Sequence, residues 1–191
     1  RAALEQNLGG VETLFGSSAE TVIANAERAY QSAGMSANTY METVTSFSAS
    51  LLQSLEGDTV AAASAADQAI IDMSDNANKM GSDLETLQTA YGGFAKGQFQ
   101  LLDNLKLGYG GTKEEMQRLL KDAQKISGVK YDISSYADIV DAIHVVQTEM
   151  GITGTTAKEA EQTISGSLAG MKSAWGNLLT SLVQGGDSFD Q

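Results

Sequence analysis

His144 is the one histidine in the chain, so any imidazole chemistry must pass through it. Asp138 and Asp141 stand six and three residues before it. A metal centre needs three or four ligating side chains converging on one point, and a general base needs a partner to orient it. Two carboxylates at helical spacings of three and six do not build that set alone. His144 is therefore expected as a partly buried side chain beside Ile143 and Val145. A Ser-His-Asp triad has no other histidine to use. The absence of cysteine removes a thiol nucleophile, a zinc–thiolate site and a disulfide framework.

Three further groupings invite chemistry. The loop Leu107-Gly-Tyr-Gly-Gly-Thr-Lys113 precedes a helix start, and glycine-rich turns there can cradle anions. A phosphate loop needs GxxxxGK followed by Ser or Thr, whereas here Thr112 precedes Lys113 and no strand leads in. The expectation is a tight turn between helices. The stretch Asp72-Met-Ser-Asp-Asn-Ala-Asn78 is rich in oxygen ligands, but no register supplies the acids, Gly and Glu of a calcium loop. An apolar series runs through it, so it reads as the polar face of a helix. Glu114/Glu115 and Glu159/Glu161 are the carboxylate pairs, and acids in a first helical turn are explained by the macrodipole. No catalytic, cofactor-binding or metal-ligating set is expected, and the chain reads as a non-enzyme.

The elements that would position these residues are helices. The 191 residues include 20 glycines, 25 alanines and no proline. Proline is the strongest helix breaker, so glycine must supply the stops. Ser17–Glu20, Ser82–Glu85, Thr112–Glu115 and Thr156–Glu159 have capping-box spacing, Ser135–Asp138 is a looser version, and Asp58 can cap alone. Gly34, Gly57, Gly81, Gly128, Gly151 and Gly185 sit where helices should end. Helices are predicted at 18–33, 37–56, 59–80, 83–96, 98–107, 113–127, 136–150 and 157–184. Val129-Lys-Tyr-Asp-Ile133 is β-like in composition but has no partner of similar pattern, and reads as an extended connector. The fold class is all-α: a multi-helix bundle of about six to eight helices, with glycine-rich turns and a long C-terminal helix. The organisation expected is an upstream tail or helix end (1–16), helical subdomains over 17–108 and 109–186, and a tail at 187–191.

The last predicted helix carries Ile164, Leu168, Met171, Trp175, Leu178 and Leu182 in alternating steps of four and three, a heptad seam. Gly166, Gly170 and Ala174 form a small-residue stripe beside it, which lets another backbone approach closely. The seam serves either the intramolecular core or self-association.

Net charge is −12, with 12 acidic and 3 basic residues before residue 96 and 12 acidic and 9 basic from there on. Such a surface repels phosphate, so direct nucleic-acid binding is not expected. No apolar run approaches the 18 or so residues that cross a membrane. The chain starts at Arg1 rather than Met and is expected to be a fragment of a longer protein.

The segment Leu101-Leu-Asp-Asn-Leu-Lys-Leu-Gly-Tyr-Gly-Gly-Thr-Lys-Glu-Glu-Met-Gln-Arg-Leu-Leu120 resembles the core region of phage tail tape-measure proteins of siphophages and prophages of Gram-positive hosts. Gly128-Val-Lys-Tyr-Asp-Ile-Ser134, Ala142-Ile-His-Val-Val-Gln147 and Gly151-Ile-Thr-Gly-Thr-Thr-Ala-Lys-Glu-Ala160 also resemble it, as does Met171-Lys-Ser-Ala-Trp175. Upstream, Ala33-Gly-Met-Ser-Ala-Asn38 and Met73-Ser-Asp-Asn-Ala-Asn-Lys-Met80 extend the likeness to roughly 14–184. The resemblance implies a virion structural protein in the tail lumen, present in the host cytoplasm during assembly. It implies the tail tube protein, tail-assembly chaperones and tail-tip proteins as partners. Such proteins template tail length and are released during DNA ejection. A continuous helix of this length would span about 290 Å at about 1.5 Å per residue, but glycine stops predict folding back, hence a docking or anchoring segment rather than the ruler. Two other classes are carried as alternatives: a secreted acidic helical effector or surface adaptor, which shares the acidic, Ala/Ser-rich, proline-free composition, and a membrane-active helical module, supported only by the Gly166, Gly170 and Ala174 stripe.

Overall fold

Five helix starts carry a side-chain oxygen that accepts the amide three residues on, and this satisfies one of the donors a helix leaves open. Ser36 accepts from Thr39, Asp58 from Ala61, Asp83 from Thr86, Thr112 from Glu115 and Ser135 from Asp138. Gly34, Gly81 and Gly128 close helices in the left-handed conformation that an L side chain resists. The result, in a computed structural model that describes residues 2–161, is eight α-helices, two 3-10 turns and a further helical stretch from 155 on, with no strand among the described residues. The helices are α1 (Ala2–Phe15), α2 (Ala19–Glu27), α3 (Ala29–Ala33), α4 (Ala37–Ser54), α5 (Thr59–Met80), α6 (Leu84–Ala95), α7 (Lys113–Ser127) and α8 (Tyr136–Glu149). The all-α bundle expected from caps and glycines is the observed fold.

Residues up to Ala157 form one compact unit. α5 runs through its middle, touching α4 and α8 most closely, while α1 packs on α4 and α7 on α8. Ala62, Ala63, Ala66 and Ala69 keep α5 slim, so these neighbours approach its backbone. Larger side chains fill the space around it: Phe15, Tyr40, Leu51, Tyr91, Phe94 and Met116 are all buried. Two tyrosines carry their hydroxyls into this core with partners. Tyr40 donates to Asp67 Oδ1 at 2.5 Å, and Tyr136 donates to the Tyr91 carbonyl at 2.8 Å, tying α8 to α6. No helix among the described residues is long and apolar enough to cross a membrane.

The structure departs from the predicted elements in four places. The chain is already helical from Ala2, and Val11 and Phe15 of α1 are fully buried. The helix expected over 18–33 breaks at Arg28 into α2 and α3. Its expected Ser17–Glu20 box does not form, because Ser17 lies in the 3-10 turn Gly16–Ser18 and Ser18 Oγ pairs with Thr59 Oγ1 at 2.8 Å. The helix expected over 98–107 is only a 3-10 turn, Leu102–Leu105, which plugs Leu102 and Leu105 into the core. Finally, α6 is capped by Asp83, one residue later than expected; Ser82 instead donates to the Asn104 carbonyl at 3.2 Å.

Candidate functional site: a buried polar seam on α5

The polar face expected at Asp72–Asn78 is present, but it is turned inward. Asp72 and Asp75 are 0% exposed and Asn76 is 1% exposed. Buried polar groups are costly unless hydrogen-bonded, and here each residue finds a partner on a different piece of chain, while Asn76 Oδ1 has none among the described residues. They occur at i, i+3 and i+4, one face of a helix. Asp72 receives the Nδ1 of His144 on α8, at 2.9 Å to one oxygen and 3.1 Å to the other. Gln147, one turn further along α8, donates to the Asp72 carbonyl at 3.1 Å. Asn76 donates to Gln147 Oε1 and to the Leu105 carbonyl, both at 2.8 Å. α8 and the 3-10 turn are thereby pinned to α5.

Asp75 does different work. Its two oxygens accept from the Gly154 amide at 2.8 Å and the Thr156 amide at 2.9 Å. The chain re-enters helix at 155, so a carboxylate from another helix caps this start. That corrects the expected Thr156–Glu159 capping box: Thr156 lies inside the helix, and its hydroxyl is buried without a partner among the described residues.

The Asp72–His144 pair is electrostatically strained in one direction. Burial pushes the Asp72 carboxyl up to about 6, against the pull of the His144 hydrogen bond and charge; Asp75 and Asp141 add to the rise. The hydrogen bond that His144 Nδ1 donates to Asp72 raises the imidazole, while burial opposes the rise. An Asp-oriented imidazole is half of a proton-transfer apparatus. Here its Nδ1 is committed to Asp72, its side chain is 30% exposed, and no cluster of metal-ligating groups surrounds it among the described residues. What the arrangement does in this structure is hold α5 against α8.

Neither aspartate near His144 in sequence joins it. Asp141 accepts from Tyr131 at 2.8 Å and Gln68 at 3.3 Å, while Asp138 accepts the Asp132 amide at 2.8 Å. The partner that matters lies 72 residues away. Only the helical spacing of Asp72, Asp75 and Asn76 hinted at it.

The glycine loop before α7 is closed by its own side chains. The Gly110 amide, the donor an anion would use, donates to Glu115 Oε1 at 2.9 Å. Glu115 thus does not return to the Thr112 amide as a full capping box would. Arg118 grips the same carboxylate at 2.8 and 3.0 Å, donates to the Gly108 carbonyl at 2.7 Å, and lies 4.3 Å over the Tyr109 ring. Arg118 and the Gly110 amide hold Glu115 down to about 2. Tyr109 in turn donates to Asp122 at 2.5 Å. Gly111 is required by space, since a Cβ there would sit 2.3 Å from the Gln100 carbonyl oxygen. The loop is a structural turn filled by an internal carboxylate.

The heptad seam over 164–182, the stripe Gly166, Gly170 and Ala174, and the long C-terminal helix beyond 161 lie outside the described residues. Comparison with known families, curated proteins and solved structures finds no match to this chain.

Proposed function

We propose that this chain is a structural segment of a phage tail tape-measure protein, acting as a folded docking or anchoring module rather than as the ruler. The ordered resemblance over roughly 14–184 supports the family. The observation that favours docking over measuring is the fold-back. The longest described helix, α5, has 22 residues, about 33 Å at about 1.5 Å per residue. An unbroken helix over 2–157 would run about 230 Å. In this reading the tail tube protein, tail-assembly chaperones and tail-tip proteins are the partners. The chain lies in the tail lumen after assembly in the host cytoplasm, and leaves on DNA ejection. No direct nucleic-acid contact and no catalytic role are proposed, in keeping with the net charge of −12. Self-association through 164–182 belongs to the same proposal.

Virions of the phage or prophage that encodes the chain provide the test. Antibody against residues 2–157 should detect it in intact tails and not in ghosts that have ejected their DNA. Its absence from intact tails refutes the assignment. In-frame deletion of 2–157 should shorten the tail by much less than about 230 Å. A shortening close to that length would make the segment part of the ruler.

A further inference from the structure

The chain leaves α5 and comes back to it at two neighbouring side chains. Asn76 donates to the Leu105 carbonyl at 2.8 Å, and Asp75 accepts the Gly154 amide at 2.8 Å and the Thr156 amide at 2.9 Å. The excursion between these two pins holds α7 and α8. α7 packs on α8, and α8 carries the pair onto α4, α5 and α6. Just inside each pin the backbone is left-handed, at Lys106 and Gly108 on one side and at Gly151 on the other. A few such positions at the ends of elements are what absorb a rigid-body rotation. The loop before α7 is braced on α7 itself, with Arg118 on the Gly108 carbonyl and Glu115 on the Gly110 amide, so loop and helix move together.

Between the pins, polar rungs along α8 fasten the excursion to the body. Tyr136 donates to the Tyr91 carbonyl at 2.8 Å, and the Ala137 amide to Ser54 Oγ at 3.2 Å. Asp141 accepts from Gln68 at 3.3 Å, His144 meets Asp72 at 2.9 Å, and Gln147 accepts from Asn76 at 2.8 Å. The Asp72–His144 rung joins two titratable groups, faced by Asp75 on α5, Asp141 on α8 and Tyr91 on α6. Swinging α8 away returns both groups to water. Burial holds the Asp72 carboxyl at about 6 in the closed form instead of 3.8, so the closed form binds the proton more tightly and rising pH favours opening. His144 is raised in the closed form and acts in the same direction. α8 also buries Ile139, Val140, Ile143 and Val146, which keeps the open form a minor population. We propose that residues 106–153 form a flap that swings off α4, α5 and α6 as one piece, pinned to α5 at both ends by Asp75 and Asn76, with Asp72 and His144 as its pH-dependent catch. The flap is independent of the tail assignment.

The test is amide hydrogen exchange by NMR on the full chain at pH 5 and pH 8, each rate being divided by the intrinsic rate at that pH to give an opening constant. The amides of α7 and α8 should share one opening constant, larger than that of α1 and α4. It should rise about tenfold from pH 5 to pH 8, the factor that a shift of Asp72 from 3.8 to about 6 supplies over that range. The Gly154 and Thr156 amides, held by Asp75, should stay with the slower set. In Asp72→Asn the rise should shrink to less than about threefold. Separate opening of α7 and α8, or opening no more frequent than that of α1 and α4, overturns the proposal. So does exchange of the Gly154 and Thr156 amides along with the flap, or an opening constant that is the same at both pH values. An undiminished rise in Asp72→Asn overturns the role of the catch, and the parent measurements decide by themselves should that variant not fold.

Discussion

Replacing His144 by alanine isolates the buried carboxylate of Asp72. In the parent, Asp72 is fully buried and its carboxyl titrates near 6 instead of 3.8, mainly because of burial. A folded pKa above the unfolded one means the contribution to stability is fully present below about 3.8 and lost as pH rises through about 6. That displacement corresponds to about 3 kcal/mol at about 1.36 kcal/mol per pH unit. His144 has the same sign: its raised imidazole stabilises the fold below about 6.5 and ceases to do so as pH rises through its folded value. The parent should therefore lose stability from about pH 4 to about pH 6 through Asp72, and further above about 6.5 through His144. His144→Ala leaves the carboxylate without its partner, and breaking a buried pair costs about 3–5 kcal/mol at pH 7.5. At pH 4.5 Asp72 carries its own proton, and only a hydrogen bond and some packing are missing, about 1 kcal/mol. Urea unfolding followed by circular dichroism at both pH values reads the difference. Asp72→Asn in the His144→Ala background removes the stranded charge and should restore much of the loss at pH 7.5. A penalty under about 1 kcal/mol at pH 7.5, or one that does not shrink on acidification, refutes the assignment of the strain to Asp72.

Asp75→Ala strands the amides of Gly154 and Thr156 and should cost about 2–4 kcal/mol, with both amides exchanging faster by hydrogen–deuterium mass spectrometry. Asp75→Asn can still accept from one of them and should fall between. Gly111→Ala drives a Cβ against the Gln100 carbonyl and should destabilise by about 1–3 kcal/mol, while Gly92→Ala meets nothing within 4 Å inside α6 and should stabilise by about 1 kcal/mol, both read as shifts in melting temperature. Asn76→Leu/Gln147→Leu removes a hydrogen-bonded pair from the seam and leaves the Leu105 and Asp72 carbonyls without these donors. It should keep the helical spectrum but narrow the amide dispersion in NMR, because α8 loses the bonds that fix its register on α5.

Most helix positions were legible because they depend on near neighbours. Asp58, Thr112 and Ser135 cap, and Gly34, Gly81 and Gly128 stop, where their local chemistry says they should. Errors arise where a distant group competes. Ser17 loses its capping role to the 3-10 turn, whose last residue, Ser18, pairs with Thr59 of α5. Ser82 and Asp83 are both capable caps, and the Asn104 carbonyl draws Ser82 away. The run Phe99, Leu102 and Leu105 has helical spacing, yet Gly97 and Lys106 adopt left-handed conformations on either side, so one short turn is all that fits. The polar seam was hidden for the same reason. Its residues are ordinary polar residues on a helix until α8, the 3-10 turn and the 151–156 loop close over them.

An alanine-rich helix packs well but selectively against little. Ala62, Ala63, Ala66 and Ala69 present little side chain to their neighbours, so apolar packing alone does little to resist offsets of α8 along α5. Hydrogen bonds discriminate between such offsets because a shift of one residue leaves buried donors and acceptors unpaired. The four polar side chains Asp72, Asn76, His144 and Gln147 meet only in one register. Asp75 extends that selection to the 154–156 backbone. The division of labour follows from residue size: alanine lets the helices approach, glycine turns them, and the seam on the second half of α5 decides where they stop.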